Sequence, residues 1–362
     1  MMKHITCFTA NMISGGAQHQ MAILSGLLCE SGYDVTIVTY NNLPDHYPID
    51  TRVTRVKLNL EGNPIIKMIK LSRFLWKWKT DCIISYRSTP NFMLLIPMLF
   101  KRKVKIIAGE RNLTITPNIR EKINHRLLYY RAQYIVPNSF SQGRYLIGLN
   151  KAWKKKVIPI TNYTAIDEYV PAPVMISDRY IHIGVISRIF PQKNYERFCE
   201  MLCMVKQRSH QKFIVSWYGD RQDGDYLKGS QHIHDLIEKL NIGDVIEVKQ
   251  AVKNVAELMP RFHFMCLPSL FEGFSNSLSE YICSGKPVVC SDISDNSLMV
   301  HEGDNGYLFD PKDTESMCSA FTKMLSLTQD KLEAMGKRSR EIAEELFDKE
   351  AFVNKYIELI EG

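Results

Sequence analysis

Residues 264–280 read FMCLPSLFEGFSNSLSE, a short apolar run followed by a turn and a polar helix start. The pattern predicts a strand from Phe264 to Leu267 and a helix that begins near residues 275–277 and ends at Gly285. Ligands of parallel sheets bind at this end of a strand, and the N–H groups of a helix start suit a phosphate. An ordinary capping box from Ser277 to Glu280, with Glu272 as a solvated loop acid, explains the same residues without a ligand.

The chain on either side alternates short β-branched runs with amphipathic stretches, a pattern typical of right-handed βαβ units around a parallel sheet. A proline-rich stretch, Tyr169–Val174, separates two such series. We therefore predict an α/β chain with two Rossmann-like, doubly wound domains at residues 1–168 and 175–340. Residues 341–362 are expected to form a helix that returns to the first domain. The predicted strands cover residues 4–9, 35–39, 82–85, 104–108, 134–136, 181–186, 213–218, 245–248, 264–267 and 288–290.

Composition excludes several classes of protein. The 362 residues, 45% hydrophobic and 23% charged, suit two globular domains rather than a disordered chain. The nine cysteines are scattered without a Cys-x-x-Cys pair, so they predict buried thiols and no structural metal. The longest apolar run, residues 92–100, falls short of a membrane-spanning helix, and the N-terminus does not read as a signal peptide.

Charge is distributed unevenly. Residues 1–165 carry 24 Lys and Arg against 8 Asp and Glu, a balance of +16, while the rest of the chain carries −9. A basic half indicates an anionic partner, such as phosphates or a lipid surface. Nucleic acid is not expected, because the interleaved aromatic residues of an RNA-binding sheet are absent.

The form Glu-Gly-Phe-x-Asn-x-Leu-x-Glu at 272–280 is followed by Gly-Lys-Pro-Val-Val at 285–289 and by EGDNGYLF at 302–309. Together these stretches closely resemble the family-4 retaining glycosyltransferases, also called group 1 glycosyltransferases, which have the GT-B fold. The resemblance implies two Rossmann-like domains that face a central cleft, with a C-terminal helix that packs back across the junction. It also implies enzymes that extend lipid-linked or surface polysaccharides.

Three further stretches are similar to the same family. Residues 186–194, ISRIFPQKN, supply Arg188 and Lys193, which the resemblance assigns to the donor diphosphate. Ser-Gly-Gly-Ala-Gln at 14–18 is a glycine turn, for which a tight turn without a ligand is the alternative. Gly-Glu-Arg-Asn at 109–112 supplies a predicted acceptor contact, for which a surface ion pair is the alternative.

The resemblance assigns roles residue by residue. Glu272, Arg188 and Lys193 are predicted to be catalytic, with Glu272 orienting the donor sugar. The acceptor is assigned to Arg111 and Glu110. Donor contacts are assigned to Glu280, through the ribose, and to Gly273, Phe274, Ser275, Asn276, Ser277, Leu278, Gly15 and Gly16.

The implied reaction moves a hexosyl or N-acetylhexosaminyl group from a UDP-sugar, or in second place a GDP-sugar, to a glycan hydroxyl with retention. The acceptor is expected to be lipid-linked, on a polyprenyl diphosphate. No cofactor and no metal are expected, because the nucleotide-sugar is itself a substrate. The expected location is cytoplasmic, at the inner face of the membrane. The alternatives are a nucleotide-sugar epimerase of related fold and a non-catalytic subunit that binds sugar nucleotides.

Three other stretches carry less specific signals. Residues 65–79 have five cations and no acid among large apolar residues, which predicts a helix that both packs on the sheet and touches lipid headgroups through Trp76, Trp78, Lys77 and Lys79. The acidic stretch at 220–225 lacks the later glutamate of a calcium loop and is interpreted as a turn. Residues 291–300 lack the glutamate that the family usually has there.

Overall fold

The chain forms two compact units. The computed structural model describes residues 2–174, 179–221, 227–252 and 254–362. The first unit runs to Tyr163 and includes Lys349–Gly362, while the second runs from Thr164 to Asp348. The segment predicted as one helix, 341–362, contains the end of one helix in the second unit and a separate helix in the first.

The first unit is built around a six-stranded parallel sheet with the strand order β3-β2-β1-β4-β5-β6. This is the order of a doubly wound nucleotide-binding fold. Its strands are β1 (His4–Thr9), β2 (Asp34–Thr39), β3 (Thr54–Lys57), β4 (Cys82–Tyr86), β5 (Lys105–Glu110) and β6 (Tyr134–Pro137). Its helices are α1 (Gly16–Glu30), α2 (Pro64–Lys77), α3 (Ser88–Met98), α4 (Ile119–Arg126) and α5 (Phe140–Leu149). To these is added the last helix of the chain, α11 (Lys349–Glu361).

Alternating strand residues give this sheet two buried faces. One face packs Phe8, Ile83 and Ile106 against the inner side chains of α2 and α3, such as Leu71 and Leu95. The other face meets α11, where the Tyr86 and Tyr356 hydroxyls lie 2.9 Å apart.

The second unit repeats the same plan with the order β12-β11-β10-β7-β8-β9, again with every pair parallel. Its strands are β7 (Ile181–Ile186), β8 (Phe213–Asp220), β9 (Ile246–Gln250), β10 (Phe264–Leu267), β11 (Val288–Ser291) and β12 (Gly306–Phe309). Its helices are α6 (Tyr195–Arg208), α7 (Leu227–Lys239), α8 (Asn276–Cys283), α9 (Thr314–Leu325) and α10 (Gln329–Leu346). The core gathers Trp217, Phe198 and Phe321, whose rings meet edge to face at 5.4 and 6.3 Å.

The ten predicted strands are present, and the structure adds β3 and β12, each at one edge of its sheet. The predicted α/β class with two Rossmann-like units is therefore confirmed. Among the residues that the structure describes, no helix is long and apolar enough to cross a membrane.

Candidate functional site

The strand order of the second unit reverses between β7 and β10, which pair directly through Ile183 with Phe264. A reversal of this kind opens a crevice at the carboxyl ends of the two strands, where such sheets bind ligands. The segments that leave the two strands there are 187–194 and 268–275, and they hold the three predicted catalytic residues and three of the predicted donor contacts.

These two segments are joined by hydrogen bonds. The Leu270 amide donates to the Gln192 carbonyl at 2.8 Å, and the Gln192 side chain donates to the Phe271 carbonyl at 2.7 Å. The backbone that carries Lys193 is therefore fixed against the backbone that carries Glu272.

Lys193 and Glu272 form an ion pair at this crevice, with side chains only 10% and 13% exposed. Ser269 also donates to the same carboxylate oxygen, Oε1, at 2.8 Å. Charged groups removed from water are held by such partners, so each side chain has a fixed position. The sequence assigned Lys193 to the phosphates and Glu272 to the sugar, and the structure brings the two side chains into contact.

The start of α8 differs from the capping box that was the alternative interpretation. Ser275 is the N-cap and accepts a hydrogen bond from the Leu278 amide at 3.3 Å, so the N3 position of the box is a leucine. Ser277 lies inside the helix, and its hydroxyl donates to the Ile186 carbonyl at 3.1 Å. The capping-box interpretation is wrong, and Glu280 has no capping role.

The other residues of this segment are packed in place. Gly273 and Phe274 are buried, and the Ser294 hydroxyl donates to the Gly273 carbonyl at 2.8 Å. Tyr281 binds both the amide and the carbonyl of Ile186, at 2.8 and 3.1 Å. The end of β7 and the start of α8 thus form one rigid frame.

Glu280 lies on α8 beside Tyr169, whose hydroxyl donates a hydrogen bond to it. Burial raises the pKa of Glu280 to about 7, although the charge of Lys193 and the Tyr169 hydrogen bond both lower it. Arg340 holds the Tyr169 segment in place, donating to the carbonyls of Tyr169 and Cys283 at 2.6 and 2.7 Å. A carboxyl group with a perturbed pKa, on the helix that follows the β10 turn, is a candidate for a functional residue.

Arg188 follows β7 directly, and its side chain is exposed. The backbone beside it approaches β8 so closely that a Cβ atom added at Gly219 would lie 1.9 Å from the Ser187 carbonyl oxygen. Only glycine fits there, which explains the glycine at the end of that strand.

In the first unit the strand order reverses between β1 and β4. Gly15 is the N-cap of α1, and its amide donates to the Tyr47 hydroxyl at 3.2 Å. Gly16 opens the helix. The His19 ring stacks on Tyr47 at 4.6 Å, and burial, with the nearby charge of His46, lowers the pKa of His19.

Glu110 is buried at the end of β5 and is held by three donors. Gln142 donates to Oε2 at 2.8 Å, Tyr129 donates to Oε1, and His125 Nε2 lies 3.2 Å from Oε1. Gln142 also binds Thr114 and so fastens the segment after the strand. The predicted acceptor contact of Glu110 stays a prediction. Its carboxylate already binds three protein side chains.

Arg111 is buried to 8% exposure beside Tyr86, with its guanidinium carbon 3.7 Å from the ring centroid. Its Nη1 donates to Asn162 at 3.3 Å and its Nη2 to Tyr356 at 2.5 Å. Within the part of the chain that the structure describes, its Nε has no hydrogen-bond partner. The alternative of a surface ion pair is therefore wrong for this arginine.

The structure also describes the EGDNGYLF motif and the first residues of the acidic stretch at 220–225. In EGDNGYLF, Gly303 has a φ of 77°, the Glu302 side chain accepts from the Leu308 amide at 2.7 Å, and Asn305 donates to the Met299 carbonyl at 2.9 Å.

In the acidic stretch, Asp220 accepts from Gln250 at 3.1 Å, while Asp223 and Asp225 lie outside the described residues. Across residues 2–174, 179–221, 227–252 and 254–362, no group of three or more His, Cys, Asp or Glu side chains could hold a metal ion.

Several residues that hold the site together were not predicted. Gln192 is adjacent to the predicted Lys193, and Ser269 lies in the turn three residues before Glu272, which is the signal that could have pointed to it. Tyr169 and Tyr356 could not be found from local sequence, because each reaches its partner from a distant part of the chain.

Comparison with known proteins finds a family match for most of the second unit and relatives that are similar along the whole chain. Residues 172–342 match the family model described as glycosyl transferases group 1. The N-acetylgalactosamine-N,N'-diacetylbacillosaminyl-diphospho-undecaprenol 4-alpha-N-acetylgalactosaminyltransferase of Campylobacter jejuni is 23% identical over 96% of both chains. The amylovoran biosynthesis glycosyltransferase AmsD of Erwinia amylovora is 20% identical over 87% of this chain and 88% of that one.

The fold is also shared with solved structures. The structure of Anabaena Alr3699/HepE in complex with UDP and glucose superimposes with a TM-score of 0.82 at 15% identity, covering 99% of both chains. The likeness confirms the predicted GT-B fold class. Residues 172–342 match the group 1 glycosyl transferases, the family that the sequence motifs resemble, and the chain is similar over nearly its whole length to a glycosyltransferase.

Proposed function

We propose that the chain transfers a sugar from a nucleotide diphosphate sugar to a hydroxyl of a lipid-linked glycan, with retention at the anomeric carbon. UDP-sugars rank first as donors and GDP-sugars second. The observation that carries the proposal is the buried Lys193–Glu272 pair at the β7–β10 reversal, with Glu280 on the adjoining helix. UDP is the nucleotide in the structurally similar Anabaena protein.

Transfer requires a leaving diphosphate to be stabilised and a sugar to be held in place. We assign the first task to Arg188, Lys193 and the start of α8, and the second to Glu272. Lys193 already contacts Glu272, so its ammonium group has a fixed position from which it can also contact a donor phosphate. This arrangement needs no metal ion.

Retention is explained most simply by attack on the face that the diphosphate leaves. The acceptor oxygen then forms its bond to the anomeric carbon as the carbon–oxygen bond to the diphosphate breaks, and the acceptor proton passes to the leaving phosphate. The side chain of Glu272 orients the sugar throughout. A covalent glycosyl adduct on any carboxylate would contradict this course.

The acceptor is assigned from two observations. The Campylobacter jejuni relative is named for a diphospho-undecaprenol acceptor. The first unit carries the strongly basic half of the sequence and holds Arg111 at the end of β5. A polyprenyl diphosphate offers the negative charge that such a unit would bind, and with this acceptor the proposed site of the reaction is the inner face of the membrane.

The test is a thermal-shift panel of UDP, GDP, ADP, CMP and NAD without added metal, on wild type, Glu280→Ala and the control Glu200→Ala. Glu200 is an exposed acid on α6. We expect one nucleoside diphosphate to stabilise wild type and Glu200→Ala but not Glu280→Ala. Stabilisation by NAD alone, or by none of the five, would contradict the proposal.

A transfer assay separates the remaining outcomes. The proposal expects a lengthened lipid-linked glycan whose new linkage keeps the anomeric configuration of the donor, read by NMR. An epimerised sugar nucleotide formed without acceptor, or nucleotide binding with no turnover on any acceptor, would instead indicate an epimerase or a non-catalytic subunit.

A further inference from the structure

Helix α2 has apolar side chains on two opposite faces. Leu71 and Leu75 are buried in the core of the first unit, and Phe74 and Trp78 pack beside them. Trp78 also donates to the Thr6 hydroxyl at 2.9 Å, so its indole nitrogen faces the sheet, and its predicted contact with lipid headgroups stays a prediction. The other face carries Ile65, Ile66, Ile69 and Trp76, all of them exposed.

The exposed apolar surface continues beyond the helix. Trp76 donates to the Pro97 carbonyl at 2.9 Å, which fixes its ring beside the end of α3. Phe100 follows α3 and is 83% exposed, while Trp76 is 55% exposed. Large apolar side chains that cluster on a surface mark an interaction site. The name outer face of α2 is used for five exposed residues: Ile65, Ile66, Ile69 and Trp76 on the helix, and Phe100 after α3.

The charges around this face are of one sign. Between Glu61 and Glu110 the sequence has ten Lys and Arg and a single acid, Asp81. The exposed cations nearest in sequence to the apolar residues are Lys70, Arg73, Lys77, Lys79, Arg102 and Lys103. Lys101 is not one of them, because its ammonium group donates to the carbonyls of Leu75, Trp76 and Trp78 at the end of α2.

We infer that the outer face of α2 binds an anionic lipid bilayer. Trp76 and Phe100 would enter the boundary between headgroups and acyl chains, while the cations meet lipid phosphates, as amphipathic surface helices do. A second copy of this chain is a poor occupant, because two such faces would set cation against cation. The inference deepens the proposed membrane location but is measured without donor or acceptor, so it stands or fails apart from sugar transfer.

The test is flotation of the full-length protein with vesicles of phosphatidylcholine alone and of phosphatidylcholine with phosphatidylglycerol. We expect binding to the anionic vesicles that weakens as salt is added. Each basic residue near such a surface contributes roughly a fivefold gain in partitioning. The triple variant Lys70→Glu, Arg73→Glu and Lys77→Glu should therefore partition about 100-fold less.

Two further variants separate charge from insertion. Trp76→Ser with Phe100→Ser keeps every charge and should reduce binding to anionic vesicles at least tenfold, since two large apolar groups are lost. The matched control reverses three exposed lysines elsewhere, Lys239→Glu, Lys331→Glu and Lys355→Glu, and should bind within a fewfold of wild type. Circular dichroism verifies that each variant is folded.

Three results would overturn the inference. One is equal binding of wild type to neutral and anionic vesicles. Another is an equal loss of binding in the control and in the α2 triple variant, which would indicate that only net charge matters. The third is self-association in solution that the Trp76 and Phe100 changes abolish, which would assign this face to a second copy of the chain.

Discussion

The Tyr356 hydroxyl accepts a hydrogen bond from Arg111 Nη2 at 2.5 Å, and it thereby ties the last helix of the chain to the end of β5. Tyr86 stacks under the same guanidinium group, and Asn162 binds Nη1. Three groups from distant parts of the chain thus set the orientation of Arg111. If Arg111 contacts the acceptor, as proposed, Tyr356 is a positioning residue for it.

We expect Tyr356→Phe to raise the KM for the acceptor about tenfold, the cost of a lost hydrogen bond to a charged group. The KM for the donor should stay unchanged, because the Lys193–Glu272 site lies in the other unit. Steady-state kinetics with each substrate varied in turn measures both. A purely structural role would instead lower kcat and leave the two KM values in their wild-type ratio.

Tyr33→Phe is the matched control for that variant. The Tyr33 hydroxyl donates to Glu361 at 2.8 Å, so it too contacts α11, but at an exposed position. Its loss should change neither KM. If both phenylalanine variants raised the acceptor KM equally, the effect would come from loosening the helix rather than from Arg111.

The pKa of Glu280 predicts a pH dependence of nucleotide binding. Burial raises this pKa to about 7, and ribose hydroxyls donate stronger hydrogen bonds to a charged carboxylate than to a neutral carboxyl group. We therefore expect the affinity for UDP to rise as pH increases through about 7 and to level off above it. Titration calorimetry across this range measures the effect, and Glu280→Gln should remove the dependence. An unchanged pH profile in Glu280→Gln would assign it to another group.

The free energy of unfolding of the ligand-free protein should fall as pH rises, whereas the affinity for UDP rises. Glu280 has a pKa raised from the ordinary 4.5, so the folded state binds its proton more tightly than the unfolded state does. Its contribution to the free energy of unfolding is full below 4.5 and is lost as pH rises to about 7. Urea unfolding of wild type and Glu280→Gln at several pH values should differ in this window, with wild type falling relative to the variant.

The sequence was sufficient for ten strands and insufficient for one edge strand of each sheet, β3 and β12. β3 and β12 are four residues each, and their edge positions leave part of each strand accessible to solvent. A half-exposed strand lacks the continuous apolar run by which buried parallel strands are found. Trp78 shows the same limit for helices, because a composition rich in Trp and Lys does not tell which ring faces the core.

The candidate site was predictable where its residues follow strands. Lys193 and Glu272 come after β7 and β10, and the ends of neighbouring parallel strands meet at one edge of a sheet. That the two side chains contact each other depends on the approach of two loops, which the spacing of neither loop specifies. Tyr169 and Arg340 depend on packing between segments far apart in sequence, for which a single sequence contains no signal.

Lys193 affects both glutamates, so its removal has two expected results. Lys193→Met leaves Glu272 without its cation and removes the positive charge that lowers the pKa of Glu280. We expect UDP affinity to fall more than tenfold, as a charge-assisted contact to the diphosphate is lost. The pH midpoint of the remaining binding should lie above that of wild type.

Lys206→Met serves as the control, because Lys206 forms an exposed pair with Asp244 at 2.6 Å. Surface pairs of this kind contribute little, so affinity and midpoint should match wild type. A midpoint in Lys193→Met equal to that of wild type would mean that the titrating group is not Glu280.

Replacement of Gly219 by alanine tests the close backbone contact between Gly219 and Ser187, the residue before Arg188. A Cβ atom at this position would overlap the Ser187 carbonyl oxygen, a backbone atom that moves only if the end of β7 moves. We expect Gly219→Ala to lower the free energy of unfolding by about 3 kcal/mol, as forced overpacking does, and to weaken UDP binding by displacing Arg188. Gly148→Ala is the matched control, since a Cβ there meets nothing within 4 Å and lies in helix α5, where alanine stabilises by up to about 1 kcal/mol. Chemical denaturation measures the free energy of unfolding of both variants. Equal values for the two would show that the end of β7 moves aside without loss of stability.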